Sequence, residues 1–467
     1  MLIVFSCRRE NLAGSGPVQF SEDTISFDTL FTTFQSPTQR LQFYNTSRGK
    51  LKLESISILG GGGSDFSIIV DGVESQSVSD YELNSGDSAI IFIKLRSVEK
   101  DKFSRDYLQF VSGNSVQVVV LQAFLLDAFF WKDYVVWDGE DLNFDNSKPH
   151  VIDGIFRVMP GAMLTIAPGT QLYFTSRKDE NFNLISMLDI QGTLLVDGMP
   201  GSPVVFTSSR LDGDYPETGA QWRGIRFGTN SRLSKIEYAL IKNALFGIEV
   251  DSFSIDMNPK VRIRQTEIRN MSAYGLWGIG YGIPTPNHGP MIDAQNVLIH
   301  NCQQANFAMI AGGDAVLNNC TFANYSIDFS RRSAQLGISN YYEDTASTTL
   351  YPAIVQFNNC IIWGSEEEEI VLDTIEGYPG YLFVEFNSCI LKTTKDFAGT
   401  NILKNADPLF TDPTKVNPFE RDYSLKENSP AINSGINLSG PPFHLYVDFK
   451  GVPRGAQYDR GCFEFVP

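Results

Sequence analysis

The sequence predicts an all-β protein in two parts, a β-sandwich in the first quarter and a β-solenoid over most of the rest. Three observations carry this. First, residues 158–208 alternate apolar and polar side chains in short runs: Leu164 and Ile166, Leu172 and Phe174, Leu188 and Ile190, Leu194 and Val196, Val204 and Phe206. Turn signals part these runs at Pro160-Gly161, Pro168-Gly169, Gly192, Gly198 and Gly201. Strands of about five residues, with turns of about two to four, leave no room for crossover helices and suit a meander or a climbing coil. Second, the pattern returns with changed side chains for another two hundred residues or so, which favours the coil. Third, residues 18–127 hold alternating runs at 18–27, 38–45, 51–59, 66–70, 88–95, 107–110 and 116–123, divided by turns at 60–64 and 85–87. Runs of that length and spacing fit an antiparallel sandwich.

Taken in order, residues 1–17 read as a leader remnant and a polar, glycine-rich tether, and 18–127 as the sandwich. Residues 128–150 link the parts, with Trp131 and Trp137 expected to cover the open first rung, since a bare rung exposes strand edges. Residues 151–400 climb, and 401–467 close the coil. Within the coil an Asn recurs near the turns, at Asn243, Asn270, Asn301, Asn319 and Asn359. Asn accepts left-handed backbone and its amide bonds along a stack, so these residues are expected to form a structural ladder at one corner. Cys302, Cys320, Cys360 and Cys389 follow Asn or Ser in each case, without a CxxC pair, which favours buried free thiols over a disulfide or a zinc site.

The words LTIAPGTQLYF, GTLLVDG, PVVFTSS and WRGIRF resemble the opening rungs of right-handed parallel β-helix proteins of the pectin-lyase-like superfamily, and most of all envelope lipoproteins of Bacteroidota. FYNTS, SISILGG and GDSAIIFIKL, with their spacing, resemble Ig-like modules of the abnormal-spindle and hydin type. Residues 1–7, MLIVFSC, resemble the end of a bacterial lipoprotein signal peptide, and 405–464 the closing segment of bacterial β-helix surface proteins. The resemblance implies a lipid on Cys7, anchorage to the bacterial outer membrane, and the cell surface rather than the periplasmic face. It is specific for fold and leaves activity open, because that superfamily includes lyases, hydrolases, adhesins and scaffolds.

The formal net charge of −17 argues against nucleic acid or an anionic lipid surface as partner, since both require clustered Lys and Arg. Enzymes on this fold place paired carboxylates, or carboxylates around calcium with a basic residue, on an outer strand face. The outward positions legible in the sequence, Lys235, Glu237, Lys242, Arg262, Arg264, Glu267 and Arg269, form a mixed and mainly basic face without such a cluster. The run Glu366–Glu369 is expected to be solvated, with a weak calcium site as the alternative, and Asp212 with Asp214 is a weak metal signal. His150, His288, His300 and His444 lie far apart in the sequence. No catalytic residue, cofactor or metal ligand is therefore assigned. Loops interrupting the rungs carry Tyr281, His288, Tyr341, Tyr342 and Tyr351, candidates for contact with a protein or a glycan. The expectation is a non-catalytic, lipid-anchored subunit that binds or scaffolds in an outer-membrane protein complex, or an adhesin-like surface factor. The alternatives are a polysaccharide lyase or glycosidase acting on an acidic glycan, or a glycan-binding module without turnover.

Overall fold

The computed structural model describes residues 14–31, 38–95, 102–211, 215–282, 287–343, 347–375, 379–417 and 420–467. It divides into units at 1–128 and 129–467. The first unit holds two five-stranded sheets. One runs Gln19–Phe20, Gln39–Tyr44, Ser88–Leu95, Phe66–Val70, Val73–Ser75; the other runs Thr24–Phe31, Ser115–Leu126, Lys102–Ser112, Leu51–Ile58, Ser77–Leu83. All pairings are antiparallel except that of Thr24–Phe31 with Ser115–Leu126. Alternate side chains of each strand turn inward, so Leu41, Phe43, Ile91 and Ile93 of one sheet bury with Ile56, Leu108 and Leu121 of the other. This is the sandwich-like arrangement that the period of two predicts.

The second unit is a parallel β-helix. Three parallel sheets begin at Phe129–Lys132 (the first sheet), Val135–Val136 (the second) and Asp141–Phe144 (the third); each of the next eight rungs adds one strand to each, and the sheets end at 11, 9 and 10 strands. One rung runs Ile155–Val158, Met163–Ile166, Gln171–Phe174, and the next runs Met187–Ile190, Thr193–Asp197, Val204–Ser208. Register places like on like: Leu164 on Leu194 and Ile166 on Val196, all fully buried. Each such side chain contributes about 1.5–3 kcal/mol by leaving water. At the lower end Trp131 stacks on Phe144 at 5.0 Å, while Trp137 is exposed.

The Asn residues do form ladders, but at two corners rather than one. Asn243, Asn270 and Asn301 leave the first sheet, and Asn319 and Asn359 leave the third. All five have positive φ, between 51° and 68°. Their amides donate to the rung before: Asn301 Nδ2 to Asn270 Oδ1 at 2.6 Å, and Asn359 Nδ2 to Asn319 Oδ1 at 3.1 Å. Both corners demand left-handed backbone, so the same residue recurs at each. The thiols of Cys302, Cys320, Cys360 and Cys389 are free and buried.

Segment 401–467 returns along the outer face of the first sheet. Asn319 Nδ2 donates to Asp459 O at 2.8 Å, the Cys462 amide to Thr321 Oγ1 at 3.0 Å, and the buried Arg460 to Cys389 O at 2.9 Å. Phe410, Tyr423, Leu425 and Phe463 pack there on Leu298, Ile361 and Trp363. That layer seals one face of the coil. On the second sheet the outward charged side chains stay partly open to solvent, Arg157 at 42% and Arg226 at 36%.

Candidate functional site

Strands of the second sheet turn Phe156, Leu188, Ile225 and Ile248 inward, so their neighbours at the next position point out. Register aligns those neighbours in one row: Arg157, Asp189, Arg226, Glu249, Trp277, Ala308, Gly337 and Val371. Asp251 stands beside the row, two residues beyond Glu249 on the same strand face.

Three carboxylates converge on one guanidinium. Arg226 Nε donates to Asp251 Oδ2 at 3.0 Å and lies 3.4 Å from Glu249 Oε1, and Arg226 Nη1 is 3.8 Å from Asp189 Oδ1. Asp189 is held from the other side by Arg157 Nε at 2.6 Å and by Gln191 Nε2 at 2.9 Å. Glu249 accepts from Arg223 Nη2 at 2.9 Å. Glu249 is only 6% exposed, and burial pushes its carboxyl above the usual range. Arg223 and Arg226 pull it down, while Asp251 and Asp189 push it further up. Burial thus raises Glu249 even though two guanidinium groups reach it, Arg223 at 2.9 Å and Arg226 at 3.4 Å.

The next residue along the row is aromatic. Trp277 packs 4.8 Å from Phe246 and 5.3 Å from Tyr274, and Arg223 lies over Phe246 at 5.1 Å. Trp277 Nε1 is buried and has no hydrogen-bond partner among the described residues. Beyond it, Ala308 and Gly337 supply almost no side chain. They floor a groove of about 410 Å³ bordered by Tyr274, Ile310, Ser339 and Asp373. An open trough bordered by the Tyr274 ring suits a ligand with one apolar face and hydroxyls at its edge.

The residues singled out in the sequence fall in several places. Tyr281 meets Tyr342 at 5.5 Å and Tyr351 at 5.8 Å, both edge-on, in one aromatic group. Tyr341 donates to Asp373 Oδ2 at 2.6 Å and so stands beside the groove. His288 turns aside to Asp314, with 2.9 Å between Nε2 and Oδ2, and to the Phe253 ring. Cys7, Asp212 and Asp214 lie outside the described residues. The basic face is split between sheets: Lys235 pairs with Asp197 and Arg264 with Asp293, whereas Lys242 and Arg269 pair with Glu217. Glu267 bonds His300, whose ring also meets Tyr423. The acidic run is not uniformly solvated, because Glu369 is fully buried against Arg331 with contacts of 2.7 and 2.8 Å. Among the described residues no group of three or more His, Cys, Asp or Glu is placed to hold a metal.

Asp189, Arg226, Glu249 and Asp251 escaped the sequence reading. Their local signal is a charged residue between apolar ones, in LDI, IRF and IEVD, as on any half-exposed strand. The loops between rungs differ in length, so only the register brings these residues together.

No family model matches the chain, and no curated protein matches it. Among solved structures the chain is similar to the catalytic unit of a thermostable GH87 alpha-1,3-glucanase from Streptomyces thermodiastaticus strain HF3-3. The TM-score is 0.33 at 10% identity, over 77% of this chain and 75% of that one. It is also similar to the catalytic domain of a GH87 alpha-1,3-glucanase in complex with tetrasaccharides, with a TM-score of 0.19 at 10% identity, over 80% of this chain and 88% of that one. Both are catalytic units. Three carboxylates converge on an exterior read as unreactive, and the expectation of a non-catalytic binding or scaffold subunit is corrected.

Proposed function

We propose that the coil hydrolyses glycosidic bonds in a polysaccharide laid along the second sheet, with Glu249 as proton donor and Asp251 as the second carboxylate. The observation that carries this is Glu249 itself, buried, raised above the usual carboxyl range, sharing Arg226 with two other carboxylates and next in the row to an aromatic ring. Cleaving a glycosidic bond requires one carboxyl to protonate the leaving oxygen and another to activate water or attack the anomeric carbon. Asp251 is the more accessible of the two flanking acids, its side chain 16% exposed against 4% for Asp189. Arg226 holds it through Nε and Nη2, and Arg157 and Gln191 keep Asp189 occupied in the row. Trp277 and the groove past Ala308 and Gly337 supply the stacking ring and the open floor for sugars on one side of the bond.

The test is reducing-end release from a panel containing α-1,3-glucan, β-glucan, polygalacturonate and chondroitin sulfate. The native chain is expected to cleave at least one, and Glu249→Gln to lose about 10²-fold or more in kcat, the usual contribution of a positioned acid. Full activity in Glu249→Gln, or release of unsaturated products in place of reducing ends alone, sinks the assignment. The envelope setting belongs to the same proposal: a lipid on Cys7 would hold the enzyme where polysaccharide reaches the cell. Mass spectrometry of the protein extracted from membranes with detergent checks it, and Cys7→Ala should release the chain from the membrane.

A further inference from the structure

We infer that the hairpin 178–184 is a sugar-stacking subsite, in which the ring of Phe182 carries one hexose of the polysaccharide beside the Glu249 row; this rests on the hydrolase reading. Lys178 and Leu184 bridge the hairpin. The Asp179 carboxylate closes it, accepting from the amides of Asn181 and Asn183 at 2.9 and 2.8 Å and from Asn183 Nδ2 at 3.1 Å. The Phe182 amide donates to Asp179 O at 3.1 Å. Those bonds hold Phe182 at φ +64° with 81% of its surface in water. For a bulky residue that backbone conformation is a true outlier, and Gly or Asn would occupy it with less strain. A large ring placed in water on strained backbone gains nothing from the fold, and such sites cluster where ligands bind.

The ring does not stand over bare surface. It borders a pocket of about 510 Å³, lined also by Lys178, Asn183, Met187, Arg223 and Leu245. That volume lies within the roughly 300–1,000 Å³ of small-ligand sites. Arg223 joins the pocket to the row, since its Nη2 bonds Glu249 Oε2 at 2.9 Å. Met187 precedes Asp189 by two residues on the same strand. The floor is apolar at Met187 and Leu245 and the rim polar at Lys178 and Asn183, which fits a pyranose with an apolar C–H face and hydroxyls at its edge. Phe182 is here a positioning residue, and the reacting groups remain those of the row.

The experiment is isothermal titration of Glu249→Gln protein with α-1,3-linked glucotetraose and with tetragalacturonate. Binding of one is expected, weakened about tenfold by Phe182→Gly and kept within about threefold by Phe182→Trp. Gly adopts φ > 0 without strain, so Phe182→Gly should melt no lower than its parent, while Phe182→Gly made in the chain that keeps Glu249 shows a raised KM. Binding of neither tetrasaccharide, or equal affinity with and without the Phe182 ring, overturns the subsite. If the native chain releases reducing ends and Phe182→Gly leaves KM unchanged, the subsite fails and the hydrolase stands. Phe182-dependent binding without release by any variant sinks the hydrolase and keeps the subsite.

Discussion

Replacing Glu369 by Gln removes one half of a buried ion pair and leaves the other half stranded. Both side chains of the pair, Arg331 and Glu369, are 0% exposed. Arg331 Nη1 and Nη2 reach Glu369 Oε2 and Oε1 at 2.8 and 2.7 Å, and the amides of Gln335 and Glu366 donate to the same carboxylate at 3.2 and 3.0 Å. The pair therefore pins the start of the insertion after residue 330 to the strand Ile370–Asp373. A buried guanidinium left without its counter-charge costs about 3–5 kcal/mol. At roughly 2.1 cal/mol/K per residue over residues 129–467, the entropy of unfolding is roughly 0.7 kcal/mol/K, so the melting temperature should fall by about 4–7 °C. Calorimetry with far-UV circular dichroism on the whole chain reads this directly. A double variant, Glu369→Gln with Arg331→Met, should recover most of the loss, because removing both charges also removes the desolvation penalty. A shift within about 1 °C for the single variant would mean a solvated carboxylate. That result would refute the burial argument.

Three other outcomes follow from the same structure. Burial raises Glu249, so if it is the proton donor, kcat should fall on the alkaline side at a pH above the ordinary carboxylate range, and Glu249→Asp should move that limb. Glu267 behaves in the opposite sense: burial pushes its carboxyl up, but the hydrogen bond from His300 and the charge of Arg269 outweigh it and hold the group at about 2. A depressed carboxyl stabilises the fold above its unfolded value near 4.5 and is lost as pH falls toward 2, a contribution of about 3 kcal/mol. Glu267→Gln should therefore lower stability at pH 7 and flatten its pH dependence in acid urea titrations; an unchanged acid midpoint would refute this. Burial pushes the Cys302 thiol up to about 12 and Cys360 and Cys462 well above their ordinary value, so a thiol reagent at pH 8 should label none of them until urea unfolds the coil.

Much of the architecture was legible along the chain because it is local. A period of two with turn signals every few residues announces a rung, and Asn before Cys announces a corner. The corners were harder: Asn270 and Asn319 sit in similar words but leave different sheets, because left-handed backbone needs the same side chain at both. The Glu run was misread for a related reason. Like charges in sequence imply solvation, yet a distant Arg331 turns one of them inward.

By itself the amino-acid order determined that this protein is all β, that its second part stacks parallel strands around an apolar interior, and that its thiols face inward. Those properties depend on side chains alternating within a few residues of each other. Only the tertiary structure decided that Asp189, Glu249 and Asp251 share Arg226 and that Trp277 follows them in the same row. The loops between rungs vary in length, so residues far apart in sequence become neighbours about 4.8 Å apart through strand register alone. The site is built from that register.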